Sequence, residues 1–330
     1  MYIDLHTHGL AGNDSRSLEP ETYLKMAEAF AEYGTGASLP TLFPGPVKDM
    51  RAQMGAIRNA LEMQGNISPS HNHPPLNPLP SREGKLNVSP SPSTGKNNVS
   101  PSPLRGEGGG GGGSAIILGV HIEGPFVNPN KCGALDKGSF LPATLDNLAR
   151  LIDGFEDIIK IMTIAPELPG ALKIIEALTA KGIKVNMGHS DATFAEAKAG
   201  RLAGATGVTH LFNAMSPLHH REPGLAGYAL TDDGLYVEVI ADFAHVHPEM
   251  LRLVLKCKPP ERVILVSDSL SAAKTKAAPD KAPLYLTDGR TLAGSGITLA
   301  DAVENMVSLG VPVATAQSFA TANPHRYLYG

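Results

Sequence analysis

The side chains best suited to chemistry in this sequence are carboxylates and imidazoles that follow apolar runs. Glu123 closes the run that begins at Ala115, and Gly124 and Pro125 come directly after it. Further groups of the same kind stand at the ends of other apolar runs: His6, His8, His189, His210 and Asp268. Imidazole and carboxylate are the ligands that suit Zn²⁺ or Fe²⁺. The sequence therefore predicts a catalytic divalent metal site.

The spacing and residue types refine this prediction. An aspartate such as Asp268 can act as a general base beside a metal, because the metal lowers the pKa of a bound water to about 7. His6 and His8 share one face of an extended strand, so they could bind the first metal or a second one. The alternative for any single histidine is a structural hydrogen bond. Only the convergence of all these groups favours a metal.

Three residues outside this set also have side chains that could take part in chemistry. Arg221 follows His219 and His220 in a Gly- and Pro-rich loop, where its guanidinium could hold a phosphate with two parallel hydrogen bonds. A solvated loop charge is the alternative. His245 follows a later apolar run, and we predict that it contacts the substrate. Cys132 has no neighbouring general-base pattern, so an ordinary thiol is predicted.

Strands and helices alternate along the chain in a way that would bring these groups together. Apolar segments predict strands at residues 2–5, 36–42, 116–121, 158–164, 183–187, 206–209, 235–241 and 263–266. Helical patterns fall at residues 19–33, 47–63, 142–152, 167–180, 192–203, 248–256, 298–309 and 313–320. This alternation predicts a (β/α)8 TIM barrel, in which the carboxyl ends of the strands meet at one face. A doubly wound open sheet is the alternative, but it needs a glycine-rich dinucleotide turn that the sequence lacks.

Residues 66–114 differ in composition from the rest of the chain. They are rich in Pro, Ser and Gly, contain no Phe, Tyr or Trp, and repeat residues 87–92 as residues 98–103. Such a segment cannot bury enough apolar surface to offset its ordering entropy of about 1–2 kcal/mol per residue. We predict a disordered low-complexity insertion, with a proline-rich ligand motif or a metal-binding tract at His71 and His73 as the alternatives. Residues 1–65 and 115–330 are then two parts of one barrel domain.

The composition limits the partners and the location. The chain has 330 residues, 28 basic and 32 acidic side chains, a formal net charge of -4 and no basic block, so nucleic acid is not an expected partner. No apolar run reaches about 18 residues, so no membrane span is expected. The N-terminus shows no secretion signal, and two cysteines make no disulfide framework. We expect a soluble cytoplasmic protein.

Longer motifs join the candidate residues. They cover residues 4–9, 119–129, 165–167, 188–193, 209–215, 221–227, 241–248 and 292–295. Their order resembles the amidohydrolase superfamily and, within it, the N-acetylglucosamine-6-phosphate deacetylase family. The His-Ser-Asp-Ala-Thr motif at 189–193 and the Arg-Glu-Pro-Gly-Leu-Ala-Gly loop at 221–227 are specific to that family rather than to the barrel. The likeness extends from Tyr2 to about Leu328, interrupted by the insertion.

The resemblance implies a role for each candidate residue. Glu123, His189 and His210 would hold the main divalent metal, Zn²⁺ in preference to Fe²⁺. His6 and His8 resemble the pair of members that carry a second metal, so one or two metals are expected. Asp268 would be the acid/base of catalysis. The substrate contacts would be Ala134, Asn213, Ala214, Arg221, His245, Leu292, Ala293 and Gly294, with Arg221 and His245 on a phosphate.

The implied reaction is hydrolysis of the N-acetyl group of N-acetylglucosamine 6-phosphate, which yields glucosamine 6-phosphate and acetate. The resemblance also implies a homodimer in which the loop near Arg221 completes the partner's pocket. The amino-sugar phosphate is therefore the expected small-molecule partner.

The chain departs from the family pattern in three respects. Leu135 stands where the family has a histidine that polarises the acetyl carbonyl, and the loss of one such donor costs about 2.7–4 kcal/mol of transition-state stabilisation. Slow turnover or an altered substrate is therefore expected. The sequence does not cover the terminal segments that form a small β-sandwich in the family, and without them we expect apolar surface on the barrel to be exposed. The insertion is foreign to the family.

These departures leave two alternatives beside the deacetylase. One is a truncated or impaired member that binds metal and sugar phosphate without turnover. The other is an amidohydrolase that acts on a cyclic amide, although Arg221 argues against an unphosphorylated substrate.

Overall fold

Parallel strands form a nearly closed barrel in the computed structural model, which describes residues 1–65, 113–276, 278 and 280–330. In chain order the strands are β1 (Tyr2–Thr7), β2 (Gly9–Leu10), β3 (Asn13–Asp14), β4 (Thr35–Leu42), β5 (Ile116–Ile117), β6 (Val120–Glu123), β7 (Ile159–Ile164), β8 (Lys184–Met187), β9 (Gly207–Val208), β10 (Tyr236–Val239), β11 (Val263–Leu265), β12 (Leu284–Tyr285) and β13 (Leu292–Gly294). The order around the barrel is β1-β4-β6-β7-β8-β9-β10-β11, with β5 paired to β4. Outside the barrel, β2 pairs antiparallel with β3, and β12 with β13.

Helices follow most of the barrel strands and pack on the outside of the barrel. They are α1 (Pro20–Glu32), α2 (Val47–Met63), α3 (Leu145–Ile152), α4 (Ala171–Ala180), α5 (Phe194–Leu202), α6 (Gly224–Thr231), α7 (Pro248–Cys257), α8 (Leu299–Ser308), α9 (Val313–Phe319) and α10 (Ala322–Tyr329). In α1 the buried residues Tyr23, Met26, Ala27 and Phe30 recur at helical spacing, so one apolar stripe faces the barrel and the other face stays polar.

Backbone hydrogen bonds complete the ring between the last strand and the first. Asp268 N donates to His6 O over 2.9 Å, and His8 N donates to Ser269 O over 2.8 Å. The segment that follows β11 is therefore joined to β1. The predicted (β/α)8 barrel is confirmed, and the carboxyl ends of its strands share one face.

The predicted third strand is split at a glycine. Leu118 N donates to Ser38 O over 2.9 Å, whereas Val120 N donates to Ile158 O over 2.8 Å. Between them Gly119 has a φ of +138°, and a Cβ there would lie 2.2 Å from Ile158 O. Only glycine fits this close approach, which lets the chain pass from the edge of β4 into the gap between β4 and β7. β6 extends two residues past the predicted strand end at His121, so Glu123 is its last residue.

Two of the described helices lie where none was predicted. α6 begins at Gly224, inside the stretch 221–227 that was interpreted as a loop, so that interpretation is wrong for its second half. Every residue of α6 from Gly224 to Leu230 is buried, so packing stabilises this helix and no polar face marks it in the sequence.

The second helix that was not predicted is α10. It brings Tyr327 into the barrel beside Thr206, which precedes β9. This helix therefore closes the amino ends of the strands.

A capping box fixes the start of α5, the helix that follows His189. Thr193 Oγ1 accepts a hydrogen bond from Glu196 N, and the Glu196 carboxylate accepts one from Thr193 N over 2.8 Å. We expect Thr193→Ala to lower the free energy of unfolding by about 1 kcal/mol, because it leaves an amide of the first turn unpaired. Urea unfolding would measure this. Thr193→Ser keeps the hydroxyl and should unfold like the wild type, so equal losses in both variants would contradict the capping role.

Two other predictions concern segments rather than the barrel. The predicted insertion, residues 66–114, lies outside the described residues except for Gly113 and Ser114. Among the helices of the described chain, none combines the length and the apolar character that a membrane span needs.

Candidate metal centre and active site

Glu123 is the point on which the candidate ligands converge. Its Oε1 lies 2.9 Å from His210 Nε2, 3.0 Å from His189 Nε2 and 3.5 Å from His6 Nε2. Its Oε2 lies 3.2 Å from His8 Nε2. The Glu123 side chain is only 3% exposed, so these contacts form almost without competing water. Four histidines from three strand ends, those of β1, β8 and β9, thus meet one carboxylate.

Asp268 faces the same cluster from the other side. Its Oδ1 lies 3.4 Å from His8 Nε2 and 3.6 Å from His6 Nε2. The two imidazoles are themselves close, with their Nε2 atoms 3.3 Å apart. Two overlapping triads have all their ligand atoms within 4.8 Å of one another, namely His6, His8 and Asp268, and His6, Glu123 and His210. The six groups predicted from strand ends therefore share one place.

The donor set fits a divalent cation. Nδ1 of His8 lies 3.0 Å from Thr41 O, and Nδ1 of His189 lies 2.9 Å from Lys131 O. Each Nδ1 must donate to its carbonyl, so Nε2 of the neutral ring carries a lone pair. Burial lowers the pKa of His8, but because these nitrogens face carboxylate oxygens, hydrogen bonds with Asp268 and Glu123 outweigh burial and raise that pKa to about 9. Each contact thus needs a positive charge, either on a second ring proton or on a bound cation. A divalent cation supplies that charge, and nitrogen and oxygen ligands of this kind suit Zn²⁺ or Fe²⁺.

Burial and charge act against each other in the cluster. Burial raises the pKa of Glu123, but the charge of His6 and the hydrogen bonds of the other histidines outweigh it and hold this pKa well below its usual range. Burial also raises the pKa of Asp268, which the hydrogen bond with His8 brings below its usual value. Burial lowers the pKa of His6 to about 4. Two carboxylates that stay ionised in a buried site make it attractive to a cation.

The backbone is unusual where three of the candidate residues stand. His189, His210 and Asp268 have φ values of +47°, +29° and +48°, the left-handed region that side chains with a Cβ rarely adopt. Such a conformation costs about 1–3 kcal/mol and persists only where the surrounding structure determines it. Its recurrence at three strand ends of one barrel face is typical of a functional site.

A cavity of about 210 Å³ opens at this cluster. Five of the predicted metal-site and catalytic residues line it: His8, Glu123, His189, His210 and Asp268. Six of the predicted substrate contacts line it too: Ala134, Asn213, Ala214, His245, Leu292 and Ala293. His245 is held in place by Asp242, whose Oδ2 lies 2.7 Å from His245 Nδ1. The structure therefore places a ligand-sized space directly against the candidate metal centre.

Three predicted residues are not among those that line the cavity. His6 lies behind His8 at full burial, and Gly294 ends β13 next to the lining residue Ala293. Arg221 is exposed, with Nη1 3.0 Å from His220 Nε2. Its guanidinium is therefore not brought to the cavity of its own chain.

The chain was compared with known proteins. No family model matches it. The N-acetylglucosamine-6-phosphate deacetylase of Bacillus subtilis (strain 168) is 33% identical over 83% of this chain and 58% of that protein. The N-acetylgalactosamine-6-phosphate deacetylase of Escherichia coli O157:H7 is 31% identical over 99% of this chain and 77% of that protein. The chain belongs to the N-acetylglucosamine-6-phosphate deacetylase family.

Solved structures of this family share the barrel. The N-acetylglucosamine-6-phosphate deacetylase of Thermotoga maritima has a TM-score of 0.77 and 25% identity over 99% of this chain and 77% of that one. The Mycobacterium smegmatis enzyme, solved as a mutant in complex with N-acetyl-D-glucosamine-6-phosphate, has a TM-score of 0.78, 24% identity and coverage of 99% and 76%. The resemblance drawn from the motifs is confirmed. The chain spans about three quarters of these structures and 58% of the Bacillus relative.

Leu135, the residue that departs from the family pattern, lies at the same cavity. It is 7% exposed and lines the space together with Glu123 and Asp268. The loop that carries it is folded back, with Leu135 N donating to Cys132 O over 2.9 Å. An apolar side chain therefore occupies the place where the family pattern implies a hydrogen-bond donor.

Sequence reasoning missed Phe43 as a site residue. Its ring stacks on the His8 imidazole, with centroids 3.7 Å apart and planes 10° apart, and it lines the cavity. Phe43 is the first residue after β4. A search of the strand ends for aromatic residues as well as metal ligands would therefore have found it.

Glu167 is a second residue that sequence reasoning missed. Its carboxylate accepts hydrogen bonds from Ser190 Oγ and Asp191 N, both over 2.7 Å. It holds the loop that follows His189.

Proposed function

We propose that this chain hydrolyses the N-acetyl group of N-acetylglucosamine 6-phosphate to glucosamine 6-phosphate and acetate, with a divalent metal as cofactor. The observation that carries the proposal is the meeting of Glu123 and Asp268 on one set of imidazoles at the wall of a cavity. In such a site one carboxylate can bind a cation while the other transfers a proton. Membership of the family supports the amino-sugar phosphate as substrate.

The metal ligands are assigned from the convergence on Glu123. Glu123, His189 and His210 would hold the main metal, for which Zn²⁺ is proposed and Fe²⁺ is the alternative. His6 and His8 would hold a second metal with Asp268 close by, since their ligand atoms form a triad of their own. A bound metal lowers the pKa of a coordinated water and polarises the acetyl carbonyl.

Asp268 is proposed as the acid/base. Ionised and 3.4 Å from His8 Nε2, its Oδ1 is placed to take one proton from the attacking water as the new carbon–oxygen bond forms. The same proton passes to the sugar nitrogen as the carbon–nitrogen bond breaks. Water and the amide give acetic acid and an amine, which ionise to acetate and the ammonium form of the amino sugar, so no further reactant is needed.

The sugar phosphate would lie along the residues of the cavity wall. We assign its contacts to Ala134, Asn213, Ala214, His245, Leu292, Ala293 and Gly294. Arg221 is exposed and away from the cavity of its own chain, which supports a homodimer in which it contacts the phosphate bound by the partner. The two free thiols, Cys132 and Cys257, support a reducing compartment, and the cytoplasm is proposed.

Acetate release from purified protein tests the proposal. The chain loaded with Zn²⁺ should release acetate from N-acetylglucosamine 6-phosphate and much less from unphosphorylated N-acetylglucosamine. N-acetylgalactosamine 6-phosphate belongs in the same assay, because one relative carries that activity in its name. A preparation with stoichiometric metal that releases acetate from none of these would overturn the proposal and favour an impaired member.

Removal of the metal is expected to abolish acetate release and to lower the melting temperature. A ligand that binds only the folded chain stabilises it by about 2.7 kcal/mol at a concentration 100 times its Kd. Dialysis against a chelator, followed by differential scanning fluorimetry and the acetate assay, would measure both effects. Zn²⁺ added back should restore them, and full activity in metal-free protein would contradict the assignment.

A further inference from the structure

Glu238 is a buried carboxylate that the proposed reaction does not use. It lies on β10 with its side chain inside the barrel, and the residue is 1% exposed. Its Oε2 has no hydrogen-bond partner among the described residues, and neither has Nδ1 of His6. These two unpaired atoms lie 3.7 Å apart. A buried donor and a buried acceptor without other partners therefore face each other directly behind the candidate metal centre.

The second nitrogen of a ligating histidine needs an acceptor. A histidine that binds a metal through Nε2 carries its proton on Nδ1, and the partner of that proton fixes the tautomer and the ring orientation. His8 and His189 use backbone carbonyls for this purpose, those of Thr41 and Lys131. His6 has no such carbonyl in the described chain. Nδ1 of His210 is unpaired as well, but the ion-pair contact of Glu238 is with His6.

The Glu238 carboxylate is held from its far side. Its Oε1 accepts a hydrogen bond from Asn186 Nδ2 over 2.9 Å. Asn186 Oδ1 in turn accepts a hydrogen bond from the Tyr327 hydroxyl, which also lies 3.2 Å from Thr206 Oγ1. A chain of polar groups thus runs from α10 through the barrel to Glu238. It fixes one oxygen and leaves Oε2 directed at His6.

His121 does not compete for this role. Its ring packs edge-on against that of His6, with centroids 4.7 Å apart. Both of its nitrogens are already paired, Nδ1 with Leu5 O and Nε2 with Thr163 Oγ1, each over 2.9 Å. It therefore restrains the His6 ring by contact and leaves Glu238 as the acceptor.

We propose that Glu238 is a positioning residue for the metal centre. Its Oε2 lies 3.7 Å from His6 Nδ1, just beyond hydrogen-bond distance. When a metal binds, this oxygen closes on His6, accepts the Nδ1 proton and so selects the tautomer in which His6 Nε2 is free to bind the metal. This inference rests on the proposed metal-dependent function, but it concerns metal affinity and not the identity of the substrate.

The variant Glu238→Gln tests the inference. With its amide oxygen bonded to Asn186, glutamine would turn an N–H group toward His6 Nδ1, so that donor faces donor. Loss of such an outer partner weakens metal binding by about 10- to 100-fold. Competition of metal-free protein with a chromophoric chelator for Zn²⁺ or Co²⁺ would measure the affinity without any substrate. Asp301→Asn is the matched control, because Asp301 is a buried carboxylate whose ion-pair partners are Lys274 and Lys281 and not candidate ligands, so its replacement should leave metal affinity unchanged.

Each outcome has one reading. Wild-type affinity in Glu238→Gln, or equal weakening in Asp301→Asn, would overturn the inference and leave the proposed function standing. A wild-type chain that binds no metal would instead overturn the proposed function and the inference with it. If Glu238→Gln does not fold, ¹⁵N-histidine NMR of the Zn²⁺-loaded wild type decides. A proton on Nδ1 of His6, hydrogen-bonded, is expected, and a proton on its Nε2 would overturn the inference.

Discussion

Asp268→Asn is expected to lower kcat for acetate release by about 10²- to 10⁴-fold, the contribution of one positioned acid–base group. Asparagine has nearly the same shape as aspartate, but it cannot take a proton from water or return one to the amine. The cluster of Glu123, His189 and His210 does not include Asp268, so at least the main metal should be retained. Steady-state kinetics and metal analysis on one preparation would measure both quantities.

Asp232→Asn provides a matched control for this variant. Asp232 is a partly buried aspartate at the end of α6 that accepts a hydrogen bond from the Tyr228 hydroxyl over 2.7 Å, and it does not line the cavity. Its replacement should leave kcat unchanged. Turnover at the wild-type rate in Asp268→Asn would show that the proposed acid/base is wrong. Loss of the main metal together with activity would make Asp268 a ligand instead.

The fold was largely predictable because its signals are local. α2 was predicted at residues 47–63, the bounds that the structure gives, since a one-sided apolar stripe is written in the sequence itself. α6 and α10 were not predicted for the opposite reason. α6 is buried on all sides and therefore has no polar face, and α10 contains Pro324 near its start. Tertiary packing, which no short window of sequence contains, stabilises both.

The site was predictable as far as strand ends determine it. Glu123 and His189 come from different strands, yet a parallel barrel brings their carboxyl ends to one face, so position along the chain was enough to place them together. Glu238 was not predicted because it stands in mid-strand. Its meaning depends on His6 across the barrel, and that proximity follows only from the way the strands close. The position of Arg221 relative to the cavity could not be predicted from strand ends either, because its proposed contact is with another copy of the chain.

Leu135 is expected to limit the rate of deacetylation at the candidate metal centre. Its buried side chain lines the cavity beside Glu123, His189 and Asp268, close to where an acetyl carbonyl must lie if Asp268 is to serve the amide. As charge develops on the carbonyl oxygen, a donor at this place would stabilise it, whereas leucine can only exclude water. The proposed set of metal ligands would then be complete, while the transition state would lack one hydrogen bond.

Leu135→His is therefore expected to raise kcat for N-acetylglucosamine 6-phosphate by up to about 10²-fold. A single oxyanion donor contributes about 10²–10³ in kcat where it has been removed, and an added donor recovers part of that only if its ring finds the right orientation. KM should change little, because the bond strengthens in the transition state and not in the ground state. Leu135→Met keeps an apolar side chain of similar volume and should behave as the wild type. A rise in both variants would indicate loop relaxation, and no rise in Leu135→His would show that residue 135 does not contact the reacting carbonyl.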